Sequence, residues 1–188
     1  AEVDATPRNG YAAAASYRAT LHVERDSLYE PLGFAPDNLR DHWYWARIDG
    51  PASRAFDFSM DRIDQASPRS ASLRVALHGL TDLSNVEPDH RVLLRLNGAS
   101  SLGEAIWEGQ TEQVVTRDVP PSAFREGRNA LGVEAPKETA PGAKDLILDA
   151  VLFNYLDVTY DRLFYGIDGG LTFDLEGFGT GRRISVPG

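Results

Sequence analysis

The sequence predicts an all-β fold, a jelly-roll-like antiparallel β-sandwich with little helix. Three observations carry that reading. Segments that alternate apolar and polar residues recur along the chain. Turn dipeptides, prolines and glycines separate them about every 8 to 15 residues, as in sandwiches. Helical spacing of apolar residues is sparse.

The elements follow in order. Tyr17, Ala19, Leu21 and Val23 alternate with Arg18, Thr20, His22 and Glu24, which describes a half-buried antiparallel strand. Asp37–Ile48 has Leu39, Trp43 and Ala46 at helical spacing behind a capping Asp37, but its aromatic density suits a strand or packed loop equally. Phe56, Phe58 and Met60 repeat the period of two, as do Leu73, Val75 and Leu77, then Val92, Leu94 and Leu96. Asn97-Gly98 turns the chain into a return strand, Leu102 to Trp107. Val114 to Val119 is halted by Pro120-Pro121, after which Pro121–Gly127 forms one helical turn with Pro first and Gly last. Leu131, Val133 and Ala135 alternate again. Leu146 to Tyr160 is too long for one strand without a bulge or bend.

The composition sets bounds. The 188 residues include no cysteine, so a disulfide framework, a Cys-ligated zinc, an iron–sulfur cluster and a cysteine nucleophile are all excluded. With 42% hydrophobic residues, and roughly 70% of the unfolded surface buried at this length, the core needs no staples. A formal charge of −9, with 17 arginines scattered along the chain, argues against nucleic acid. No apolar run approaches the roughly 18 residues of a membrane span. Residues 11–165 read as the sandwich domain. Residues 166–188 form a glycine-punctuated tail, a hairpin or the start of a further β module.

Little stereotyped chemistry is present. Gly177, Gly179 and Gly181 have the spacing of a dinucleotide fingerprint, but only seven residues follow, so no crossover helix presents its N-terminus to a pyrophosphate. His42 and His90 each follow an aspartate, yet neighbours on a strand point to opposite faces, so they read as hydrogen-bonded or surface residues. Hard oxygen ligands suited to calcium cluster in Thr81–Asp89, as Asp82, Asn85, Glu87 and Asp89. A second candidate metal set is Glu24 at a strand end with Asp149 and Asn154 from the long last strand. Calcium is the one cofactor candidate. Trp43, Tyr44 and Trp45 form the most conspicuous aromatic cluster; alternation puts the two tryptophans on one face and Tyr44 on the other. Such rings serve either as a stacking platform for sugars or as core and domain-contact residues.

The ordered set Tyr17–Glu24, Asp41–Trp45, Leu73–Gly79, Pro88–Val92, Leu96–Gly98, Phe124–Leu131 and Phe153–Arg162 resembles the β-rich region ahead of the catalytic domain in gingipain-like (C25 family) cysteine peptidases. The resemblance covers roughly residues 11 to 188, and the last strand with its Tyr-x-Arg ending is its most specific part. It departs from the family at Asn154, where Asp is frequent. The resemblance implies a secreted or cell-surface bacterial setting and no catalytic residues in this chain, since the His/Cys pair lies in the downstream peptidase domain. Two functions are therefore expected to compete. One is a non-catalytic accessory module that packs against adjacent domains of the same polypeptide or binds an extracellular ligand. The other is a carbohydrate-binding module using Trp43, Tyr44 and Trp45 on a glycan. An autonomous hydrolase ranks last, because no acid/base pair stands out.

Overall fold

The computed structural model describes residues 13–14, 16–31, 42–83, 88–136, 149–164 and 183–184. Its strands are β1 (Ala13–Ala14), β2 (Ser16–Glu24), β3 (Leu28–Tyr29), β4 (Trp43–Tyr44), β5 (Ala46–Asp49), β6 (Ala52–Met60) and β7 (Ala71–Gly79). They continue as β8 (His90–Leu96), β9 (Ser100–Trp107), β10 (Glu112–Val119), β11 (Gly127–Ala135), β12 (Ala150–Leu163) and β13 (Arg183–Ile184). Among the described residues the only helical piece is a 3₁₀ turn at Pro121–Ala123, where the proline pair stops β10.

Two sheets face each other. The front sheet runs β10-β7-β12-β2, with β5 also on β12; the back sheet runs β6-β11-β8-β9. From β6 to β12 the chain repeatedly crosses between them, and every pairing within both is antiparallel. This is the jelly-roll-like sandwich that period two predicts. On β8, Val92, Leu94 and Leu96 point inward while Arg91 and Arg95 face solvent. The core joins them to Leu73, Val75, Leu77, Leu131, Val133 and Phe153. Each such side chain contributes about 1.5–3 kcal/mol through burial.

Local chemistry fixes the register. Asn97 and Gly98 both take positive φ, 53° and 72°, so the dipeptide makes the tight β8–β9 turn. The Asn97 side chain then donates to Ala123 O at 3.0 Å and Asn129 Oδ1 at 2.9 Å, tying the turn to the 3₁₀ piece and to β11. In β9 the pairing slips by one residue between Leu93 and Arg95 of β8, and Gly103, at φ 84°, absorbs the extra residue. Arg117 of β10 reaches across and donates to Leu102 O and Glu104 O, both at 2.8 Å. The bend expected of the long last strand is a bulge between Phe153 and Leu156 of β12.

Part of Asp37–Ile48 lies outside the described residues, and the rest is not helical. Residues 43–49 form β4 and β5, separated by a bend at Trp45. β4 pairs with β3 as a small ribbon. Tyr44 anchors this ribbon against Leu80, Ala150 and Leu152, a second apolar cluster on the outside of the front sheet. That cover explains why β7 is buried on both faces from Val75 onward. Of the tail, only Arg183–Ile184 is described, in parallel pairing with Ala13–Ala14.

Candidate functional site

Three groups of side chains carry chemistry, and each rests on a different part of the sandwich. The first is the ribbon β3–β4. Its register sets Tyr29 directly opposite Trp43, with ring centroids 5.2 Å apart and planes inclined at 59°. Both are exposed, Tyr29 at 53% and Trp43 at 45%. Tyr44 faces the other way, as alternation requires, and is buried with its ring 6.1 Å from His78. It is therefore a ribbon anchor whose ring is withheld from the surface. Trp45 is half-buried and packs edge-on to Phe56 at 5.2 Å and against Phe153 at 5.4 Å. The guanidinium of Arg25 lies over its ring at 4.9 Å. Trp43 and Trp45 thus do not form a flat exposed pair; the exposed pair is Trp43 with Tyr29.

The second group is acidic. Asp82, Asp89 and Glu108 each offer a carboxylate oxygen, all within 4.8 Å of one another. Asp82 and Asp89 were expected from the loop; Asn85 and Glu87 lie outside the described residues. Asp89 is buried, accepting from Leu83 N at 2.9 Å and Gly109 N at 3.1 Å, and Glu108 accepts from Asp89 N at 3.1 Å. Hard carboxylate oxygens at this spacing suit calcium better than a softer metal.

The other expected metal set is not gathered round one point. Glu24 is the register partner of Tyr155, and Asn154 is next to it at the bulge. Asp149 stands six positions further along, about 20 Å away at about 3.3 Å per residue. Its carboxylate is also occupied. Oδ1 takes His90 Nδ1 at 2.7 Å, and Oδ2 accepts from Arg91 N at 3.0 Å. His90 Nε2 meets Thr81 O at 3.1 Å, and the imidazole stacks on Trp107 at 4.7 Å. This dyad clasps the ends of β7, β8 and β12 together.

The third group lies on the solvent face of the front sheet. His22 Nδ1 meets Asp157 Oδ1 at 2.6 Å and its Nε2 meets Glu24 Oε2 at 3.0 Å. Arg74 bonds the other Asp157 oxygen at 3.4 Å and covers the Tyr155 ring at 5.5 Å. The hydrogen bond to Asp157, then that to Glu24, raises the His22 pKa above the ordinary imidazole value. Burial pushes the Tyr155 phenol up.

Some of these residues escaped sequence reasoning. Tyr29 sits in a stretch too short to show alternation, and only strand pairing reveals its partner. Glu108 follows the last residue of β9, and nothing in the sequence marks it as a third carboxylate beside Asp82 and Asp89.

No protein-family model and no curated protein sequence matches the chain. Solved structures do. Dimeric latent PorU from Porphyromonas gingivalis matches with a TM-score of 0.58 at 13% identity, over 82% of this chain and 14% of that one. The carbohydrate-binding module CBM36 in complex with calcium and xylotriose matches with a TM-score of 0.40 at 10% identity, over 73% of this chain and 98% of that one. The Podospora anserina GH26-CBM35 β-(1,4)-mannanase matches with a TM-score of 0.41 at 12% identity, over 75% and 27%. At such identities the likeness to PorU concerns the fold. It supports a related β-sandwich region in that protein. The chain spans about one seventh of PorU's length.

Proposed function

We propose that the chain is a non-catalytic accessory module of a secreted gingipain-like peptidase, packing against neighbouring domains or holding an extracellular ligand. The observation that carries this reading is the sandwich shared with one region of the much longer PorU chain. The histidine–carboxylate pairs support it. His90 and Asp149 are closed off in the interior by mutual and backbone bonds, and His22 is held between two carboxylates on an open sheet face. No helix among the described residues is long and apolar enough to cross a membrane. Cross-linking within the intact parent polypeptide tests the proposal. Links from the solvent faces of either sheet to a cysteine-peptidase domain are expected. A parent without such a domain, or turnover of peptides or glycans by this chain alone, overturns it.

A second reading, glycan binding, is favoured by one observation: Tyr29 and Trp43 stand side by side and exposed on a ribbon that Tyr44 anchors. Calcium belongs to this reading through Asp82, Asp89 and Glu108. Saturating calcium is then expected to raise Tm, by about 2.7 kcal/mol of added stability at a hundredfold excess over Kd. Glu108→Gln should remove the rise. Equal melting in calcium and in chelator sinks the metal site.

A further inference from the structure

The outer face of the back sheet carries an arginine that the fold does not use. On β8, Arg91, Leu93 and Arg95 point to solvent. Arg91 is held by Glu104 at 2.8 Å, and Arg117 donates to the backbone carbonyls of Leu102, Glu104 and Thr116. Arg95 has no hydrogen bond or ion pair among the described residues. It lines a depression of about 220 Å³ with Leu93, Leu94, Ser101, Gly103 and Glu104, where the pairing of β8 and β9 slips. Ligand pockets span about 300–1,000 Å³, so this one has room for a side chain rather than a whole small molecule.

Beside Arg95 stands a glycine that the fold does not require. Gly132 lies in the middle of β11, the register partner of Arg95 on one side and of Ala55 on the other. Gly98, Gly103, Gly109 and Gly127 take positive φ, and Gly79 has no room for a Cβ. Gly132 has neither reason: its φ is outside the left-handed region, and a Cβ there would meet Arg95 at 3.6 and 3.7 Å, an ordinary contact. A glycine inside a strand weakens it, and such a glycine often marks the close approach of another backbone. The charges and the lining name the visitor. Arg91, Arg95 and Arg117 against Glu104 and Glu134 leave this patch positive on a chain of formal charge −9. Ile106, exposed and paired with Arg91, adds an apolar side chain to the same face as Leu93. No aromatic ring lines the depression, and Trp43 and Tyr29 sit on the ribbon outside the front sheet. A sugar therefore has no ring to stack on here. An extended polypeptide finds a gap for its main chain, apolar contacts, and a guanidinium fork that matches a carboxylate.

We propose that the back-sheet face centred on Arg95 and Gly132 docks an extended acidic segment of a neighbouring domain of the same polypeptide. The main chain of that segment crosses Gly132, and one of its carboxylate side chains enters the depression onto the Arg95 guanidinium. The proposal rests on the accessory-module reading and names the face that packs and the chemistry of its partner.

Zero-length carbodiimide coupling in the intact parent polypeptide tests it, because Arg95→Lys puts an amine where the carboxylate is expected. Peptide mapping by mass spectrometry should find an amide from position 95 to an aspartate or glutamate of another domain. Adding Gly132→Val, which lays a side chain across the path, should abolish that link. The same two substitutions in the isolated chain should leave Tm within about 2 °C or raise it, since the Cβ has room and valine suits a strand. A link from position 95 to Glu104 or Glu134 only, or no link at all, overturns this docking surface while packing through another face stands. So does a Gly132→Val variant that links as well as Arg95→Lys alone. A large fall in Tm on Gly132→Val shows that the glycine serves the fold and overturns the path assigned over it. With the isolated Arg95→Lys chain, coupling of an oligogalacturonate in preference to an oligoglutamate overturns the polypeptide occupant. A parent with no further domain removes both this proposal and the accessory-module reading beneath it.

Discussion

Two histidines in this molecule each face an aspartate at nearly the same distance, and they do opposite things. His90 and Asp149 meet at 2.7 Å inside the sandwich, and both are essentially inaccessible to water. His22 and Asp157 meet at 2.6 Å on the outer face of the front sheet, with the imidazole about half exposed. Burial leaves the first pair no alternative partners, so each lost bond is a lost fold contact. Water competes for every bond of the second, so its worth is small and depends on pH. The residues are the same; the surroundings decide what they are for.

Breaking the buried pair should have the largest effect, and the most severe route goes through a glycine. A Cβ on Gly79 would lie 2.2 Å from His90 Nε2 and 2.4 Å from Gly109 O, so Gly79→Ala forces imidazole and backbone apart. A loss of more than about 4 kcal/mol is expected. Chemical denaturation read by Trp107 fluorescence should show it, and a midpoint within error of the parent would refute the dyad's rigidity. Asp149→Ala comes next, at about 3–5 kcal/mol, since it strands a buried imidazole and the Arg91 amide together.

The exposed pair sharpens the contrast from the other side. His22→Gln should change stability by at most about 1 kcal/mol, as for other solvent-screened pairs. The sign of its pH dependence is fixed. The His22 pKa is raised on folding, so the contribution is fully present below the unfolded imidazole value of 6.5. It is lost as pH rises through the higher folded value. Melting curves of parent and His22→Gln should therefore diverge in mild acid and converge above neutrality. Divergence growing with pH instead would show that Asp157 and Glu24 are not what holds the proton.

The strands were legible because a half-buried antiparallel sheet writes its two faces into alternate residues. Val92, Leu94 and Leu96 announce their face whatever they pair with. The bulge in β12 was legible from length alone. The site was less so, since its members meet only through topology. Asp149 and His90 are 59 residues apart, and no local pattern says that the start of β12 lies beside the start of β8. Asp149 and Glu24 are expected to meet as ends of strands, but β12 runs on past Tyr155, the partner of Glu24, and carries Asp149 six positions beyond it. Trp43, Tyr44 and Trp45 stood out as a cluster. Their separate fates, exposed, anchoring and half-buried, follow from a ribbon partner and a bend that a run of aromatics does not encode.

Arg117 has a consequence beyond the bulge it spans. Strand β9 borders the back sheet, and a border strand offers its unpaired carbonyls to any passing extended chain. The Arg117 guanidinium already occupies two of them, Leu102 O and Glu104 O, while the Gly103 kink breaks the straight line a newcomer would need. The sandwich thereby carries its own defence against growing into fibres, and Arg117→Ala would leave a folded protein whose solubility is what suffers.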